Sequence, residues 1–268
     1  MLRVEYNEGI AVNRILTSVL IACSVIPILY IAIPIIHLLS GTSWHSIAGA
    51  MADSEFLGAF AVSLLSALIS TLFALFFGLP TAFILAMRRI PFKRLVEGIL
   101  ILPIVLPPVV GGIAQLNLYG PYTFLGGIFQ SLHVFLTDNF IGVILAQTYI
   151  TSPFLIFAAK AGFEEISKDL WDVTRELGGG IWNQFWSVSL PLAKRAIFVG
   201  ALLTFTRAIG EFGATMIMAY HPYTLPVDLW VQFTGGGLPA ILPMAFIITV
   251  IAMVVLFIVS LFQRGQRE

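Results

Sequence analysis

The chain has 268 residues, 59% of them apolar and only 10% charged, against roughly a quarter charged in a soluble domain. Fourteen basic residues balance fourteen acidic ones, and mean hydropathy is +0.97. These values exclude a disordered tail, a nucleic-acid-binding arm and an ordinary soluble enzyme, and leave an integral membrane protein. The single cysteine, Cys23, excludes a disulfide framework or a thiolate metal site built from this chain alone. It lies in an apolar run and reads as a small packing residue.

Charge-free stretches place the spans in chain order. Between Arg14 and Asp53 no Asp, Glu, Lys or Arg occurs, and the same holds for 56–87, 98–137, 139–159 and 229–263. A helix needs about 20 apolar residues to cross the hydrocarbon core, so each stretch holds a span. Polar and turn residues trim these to helices near 15–39, 57–87, 95–118, 140–162 and 240–262. A further apolar stretch, 196–219, carries Arg207 and Glu211 within it and is the fifth of six. The first span is too long for a signal h-region of 7–15 residues, and no A-x-A site follows it, so it reads as a permanent helix. The stretch Phe124–Phe135 is too short to cross and is placed along the outer surface.

Basic residues set the orientation. Arg3 and Arg14 precede the first span; Arg88, Arg89, Lys93 and Arg94 follow the second; Lys160, Lys168, Arg175, Lys194 and Arg195 follow the fourth; Arg264 and Arg267 follow the sixth. The loops 40–56, 119–139 and 220–239 hold no lysine or arginine. Both termini and the 163–195 loop are therefore expected in the cytoplasm, with Arg207 the one basic residue out of place.

That loop carries the most information. Ile166, Leu170, Val173 and Leu177 recur at i, i+4, i+7 and i+11, one face of a helix. Gly178-Gly179-Gly180 ends it with a left-handed cap. Ile181, Trp182, Phe185 and Trp186 then line one face of a second short helix that Leu190-Pro191 is expected to stop. The result is a helix–turn–helix knob with aromatic surface on a charged loop. Such a patch either docks a partner or packs on the chain's own bundle, and the sequence leaves both open.

Missing motifs narrow the chemistry. No G-x-x-x-x-G-K-[ST], H-E-x-x-H or G-x-S-x-G occurs, and the four histidines (His37, His45, His133, His221) are scattered over separate outer segments. Nothing reads as catalytic or metal-binding.

The run Asp172-Val-Thr-Arg-Glu-Leu-Gly178, nine residues, then Val188-Ser-Leu-Pro191, resembles the cytoplasmic signature of ABC-importer permeases: Glu-Ala-Ala, a glycine, and Ile-x-Leu-Pro. The spacing agrees throughout; Asp172 replaces Glu, Val173-Thr174 replace Ala-Ala and Val188 replaces Ile. Thr206-Arg-Ala-Ile-Gly-Glu-Phe-Gly-Ala-Thr215 and Leu102-Pro-Ile-Val-Leu-Pro-Pro-Val-Val-Gly-Gly112 resemble runs of the molybdate, tungstate and sulfate permeases, the former closer to the molybdate/tungstate side. The resemblance covers about 57–262.

It implies an all-α, six-helix membrane bundle of the type I ABC importer permease kind, in a prokaryotic cell membrane. The segments are then a cytoplasmic 1–14, a first transmembrane helix 15–39, a core permease domain 57–262 with coupling loop 163–195, and a cytoplasmic tail 263–268. Implied partners are a second copy of the chain, two copies of an ATPase subunit that holds ATP and Mg, an extracytoplasmic oxyanion-binding protein, and the bilayer. No nucleic acid and no cofactor of the chain's own are implied. Asp172, Gly178, Trp182, Trp186, Leu190 and Pro191 become ATPase-coupling residues. Pro107, Pro108, Gly111, Arg207, Gly210, Glu211, Gly213 and Thr215 become pathway or helix-packing residues. A sulfate permease is the near alternative. A secondary transporter or channel is the far one, disfavoured because it calls for embedded ion sites and often an inverted repeat, neither of which the sequence displays.

Arg207 and Glu211 lie four residues apart, one above the other on a helix. A charge near the bilayer centre costs at least ~2.5–3.5 kcal/mol on insertion scales, so each needs a partner. They either neutralise each other and pin the helix, or leave Arg207 as a positive spot for an anion. The spacing favours the first.

Overall fold

The computed structural model describes residues 2–87 and 90–264, and every regular element among them is helical. Among the described residues five helices are long and apolar enough to span a membrane: α1 (Leu2–Gly41, apolar from Val19), α3 (Ser54–Met87), α7 (Phe140–Glu164), the continuous helix 181–209, and α12 (Leu225–Arg264). Taken together, α4 (Lys93–Val105) and α5 (Pro108–Tyr119) are also long and apolar enough to span, as a pair bent between its two helices. Short helices α2 (Trp44–Ala52) and α6 (Phe124–Ser131) occupy the expected outer loops.

Helices α3 and α7 and the 181–209 helix form the core. Small residues let them approach: a Cβ on Gly162 would stand 2.5 Å from Ala196 Cβ, and one on Gly200 2.8 Å from Ala158 Cβ. Without a hydrophobic drive between spans, such close backbone packing and interhelical hydrogen bonds hold the bundle. Ser70 Oγ donates to Ile144 O at 3.2 Å, and Thr204 Oγ1 to Thr151 O at 3.3 Å. Leu225 N donates to Ser63 Oγ at 2.7 Å and ties α12 to α3. At one end Ala82, Phe83, Ile156, Ala159, Phe163, Phe185 and Ala193 close an apolar cluster. Phe83 packs edge-on to Phe163 and Phe185, with centroids 5.7 and 5.0 Å away.

Four expectations are corrected. The third span is not one helix over 95–118. It breaks at Leu106-Pro107 and turns by 112°, because Pro107 and Pro108 have no N–H with which to continue the ladder. The fifth span does not run unbroken to 219: the helix ends at Ile209 and restarts as α11 (Gly213–Met218). The loop 220–239 is helical from Leu225, and Gly237, at φ 71° and ψ −166°, kinks α12 where a loop was expected. Cys23 is exposed instead of packed, because nothing of the apolar stretch of α1 is buried within the chain.

Candidate functional site

The lobe at the 163–195 loop is built by α8 (Lys168–Glu176), α9 (Ile181–Asn183) and a π-helical turn at Gln184–Ser189 that runs into α10 (Leu190–Ile209). Ser167 caps α8, accepting from Asp169 N at 3.3 Å. Gly178, at φ 79°, ends it as expected. Gly179 N donates to Thr174 O at 2.8 Å and Gly178 N to Arg175 O at 2.9 Å, a Schellman closure that only a left-handed residue completes. Gly179 is needed too: a Cβ there would lie 2.7 Å from Thr174 O.

Which face docks on the bundle differs from the periodicity. Ile166 is buried, but Leu170, Val173 and Leu177 are exposed, Leu177 at 84%. Trp171, which is not on the face that the periodicity picks out, is the anchor: it is 6% exposed, and its Nε1–H donates to Ser189 Oγ at 3.2 Å. Gln184 Nε2 returns a bond to Trp171 O at 3.1 Å. The signal that could have found it is the unnamed residue of Val188-Ser-Leu-Pro191, since Ser189 is fully buried and holds the indole. Asp172 is exposed and ion-paired with Arg175.

The second short helix is not stopped at Leu190-Pro191. The Leu190 N–H bonds to Phe185 O, five residues back, and this widened turn admits Pro191 into the first turn of α10. Leu190 packs against the apolar cluster. Phe185 faces the bundle, whereas Trp182 and Trp186 remain 69% and 60% exposed. Both line a groove against Leu72, Phe76, Phe77 and Pro80 of the membrane-spanning α3.

The second constellation is where the two helix breaks meet. Pro108 opens α5, and Gly213 opens α11. A Cβ on Gly213 would stand 3.0 Å from Pro108 Cβ and from Val109 N, and one on Gly112 2.9 Å from Ala214 Cα. Gly111 packs as closely on Ile150 and Tyr149 of α7. Gly210 meets no neighbouring helix and is exposed, so it serves as the C-cap that ends α10, not as a packing notch. Pro107 is exposed at the other turn.

Arg207 and Glu211 bridge the second break. Arg207 Nη1 lies 2.6 Å from Glu211 Oε2, with the glutamate fully buried and the arginine side chain 33% exposed. Glu211 Oε1 accepts from Ala214 N at 2.9 Å, capping α11, and Thr215 Oγ1 donates to Glu211 O at 2.9 Å. Each charge also sits at the favourable helix pole: arginine in the last turn of α10, glutamate at the start of α11. The couple is a structural bridge with one cationic edge left open.

Comparison with known proteins agrees on the kind of molecule. Residues 78–268 match the family described as binding-protein-dependent transport system inner membrane component. A probable molybdenum ABC transporter permease protein of Haloferax volcanii is 41% identical over 226 residues, 84% of this chain and 82% of that one. The molybdate/tungstate transport system permease protein of Thermococcus kodakarensis is 36% identical over 228 residues, 84% of this chain and 87% of its own. A bacterial alginate ABC transporter, solved in complex with a pentasaccharide-bound periplasmic protein, shares the fold at TM-score 0.71 and 16% identity, covering 97% of this chain and 98% of that one.

Proposed function

Since the chain belongs to the family of binding-protein-dependent transport inner-membrane components, we propose that it is the permease of an importer that moves molybdate or tungstate. The observation that carries the coupling half is α8: its exposed Leu170, Val173 and Leu177 stand clear of the bundle while Trp171 fastens the opposite side. That is a rigid presentation of apolar surface to a partner. The partner is an ATPase in two copies, which holds the ATP and Mg for which this chain has no phosphate-cradling motif. The anion is supported by the names of the relatives at 41% and 36% identity.

A homodimer completes the pathway. The apolar stretch of α1 buries nothing within its own chain, and α12 buries little, leaving large apolar surfaces for a second copy to cover. The two broken helices and the open edge of Arg207 then face the dimer axis. Both termini lie in the cytoplasm with the basic loops, and an extracytoplasmic binding protein delivers the anion to the opposite face, whose segments 40–56, 119–139 and 220–239 hold no lysine or arginine.

The test is reconstitution of the chain with the ATPase and binding protein of the same genome. ATP-dependent accumulation of tungstate in vesicles, competed by molybdate and not by sulfate, supports the reading. Competition by sulfate alone moves the assignment to the sulfate permeases, and accumulation without the ATPase overturns the coupling.

A further inference from the structure

The cytoplasmic ends of α4 and α7 are joined by four charges that none of the sites above uses. Lys160 Nζ lies 3.0 Å from Glu164 Oε1 and 3.3 Å from Glu97 Oε1, while Lys93 Nζ lies 3.5 Å from Glu164 Oε1 and 3.8 Å from Glu97 Oε1. Two of these contacts run within a helix, and two, Lys93–Glu164 and Lys160–Glu97, cross between helices. Lys93, Glu97 and Lys160 are partly shielded, Lys160 the most, whereas Glu164 is exposed.

Two features separate this ladder from an ordinary surface pair. Helix α4 fully buries only Pro103 and rests Val96 and Leu100 on the apolar cluster, with Leu95, Ile99, Leu102 and Val105 exposed, so its apolar seam on the bundle is narrow. Lys93 also opens α4 at its positive pole, and Glu164 closes α7 at its negative pole, each on the wrong end of its own helix dipole. Pairing across the helices offsets that placement.

Its position in the chain gives the ladder a direction. Glu164 ends α7 three residues before Ser167, which caps α8. Lys93 and Glu97 begin α4, which leads through the Pro107 turn to α5 and its contact with Gly213. Resting on the ATP-driven reading above, we propose that Lys93, Glu97, Lys160 and Glu164 form a clasp that carries movement of the ATPase-docked α8 to the pathway break, by making α4 move with α7. The four act as positioning residues and touch no substrate.

Charge reversal tests it in the intact complex, with tungstate as the probe. Glu97→Gln weakens one cross-link and Glu97→Lys turns it repulsive. Combining Glu97→Lys with Lys160→Glu restores the one cross-helix attraction that was lost and leaves Lys93–Glu164 in place, at the cost of two weak i,i+4 like-charge repulsions. Tungstate accumulated per ATP hydrolysed should fall about five- to tenfold in Glu97→Lys, the low end of ordinary coupling strengths, and less in Glu97→Gln. The double variant should recover most of the loss. Wild-type transport per ATP in Glu97→Lys, or a double variant no better than the single one, would overturn the clasp. Wild-type complex that hydrolyses ATP but carries no tungstate would instead refute the substrate reading.

Discussion

Trp171 on α8 donates its indole N–H to Ser189 Oγ across 3.2 Å, and this bond joins the two arms of the lobe at the 163–195 loop. The residue at either end is buried, so neither can turn to water if its partner is lost.

Ser189→Ala should therefore leave a buried N–H unpaired and lower stability by about 1–3 kcal/mol. Trp171→Ala should cost more, ~3–5 kcal/mol, because it also empties a large buried volume. Thermal melting of the purified complex and pull-down of the ATPase check both. Loss of ATPase association should track loss of melting temperature across the two variants, since the lobe is fastened before it docks.

The Gly178 cap makes a sharper separation between shape and bulk. At φ 79° a β-branched residue is strained whatever space surrounds it, and the structure leaves that space open. Gly178→Val should reorient α8 and reduce ATP-dependent uptake strongly, whereas Gly178→Asn, which tolerates the left-handed region, should retain most of it. Equal uptake in the valine and asparagine variants would remove the cap from the coupling argument.

Exposed side chains of the lobe fall into two sets that transport assays can tell apart. Leu170 and Val173 stand on α8 and Leu177 at its C-cap, while Trp182 and Trp186 border the groove along α3. Val173→Asp should disrupt ATPase binding by placing a charge in the proposed contact. Trp182→Ala and Trp186→Ala should weaken it less and act mainly through packing against Leu72 and Phe76. Titration of the ATPase against the three variants measures the order, and a greater loss in either tryptophan variant would move the docking surface onto the α9 side.

Much of this arrangement is legible in the sequence. Charge-free runs located each apolar span except the fifth, which carries Arg207 and Glu211, because lipid admits few charges, and Gly178 marked its own cap because few residues adopt positive φ. Trp171 escaped because helical periodicity assigns faces by apolar spacing, and the bundle-facing side of α8 rests on a single indole among charges. The break at Pro107 escaped because prolines are tolerated inside membrane helices: Pro80 and Pro153 lie within unbroken spans, whereas two consecutive prolines terminate one. Pro191 failed as a stop signal for the converse reason, since the π turn before it absorbs the missing donor.

The remaining prediction concerns Arg207 and Glu211. Glu211 has two partners besides the arginine: it caps α11 through Ala214 N and receives Thr215 Oγ1 at its carbonyl. Removing one member of a buried pair typically costs ~3–5 kcal/mol, while replacing both by apolar groups of similar shape is often near neutral. Arg207→Met leaves a fully buried carboxylate without its cation. Glu211→Met leaves an arginine with an exposed edge and also removes the helix cap, so the two variants should not be equivalent. Arg207→Met should destabilise the complex and recover on addition of Glu211→Met, but only in part, because the cap to Ala214 stays lost. Glu211→Gln, which retains an acceptor for Ala214 N, should melt above Glu211→Met. Uptake should decline partially in all of them. A fully assembled, wild-type-stable Arg207→Met complex without tungstate uptake would show that the open edge of Arg207 serves the anion and not the helix break.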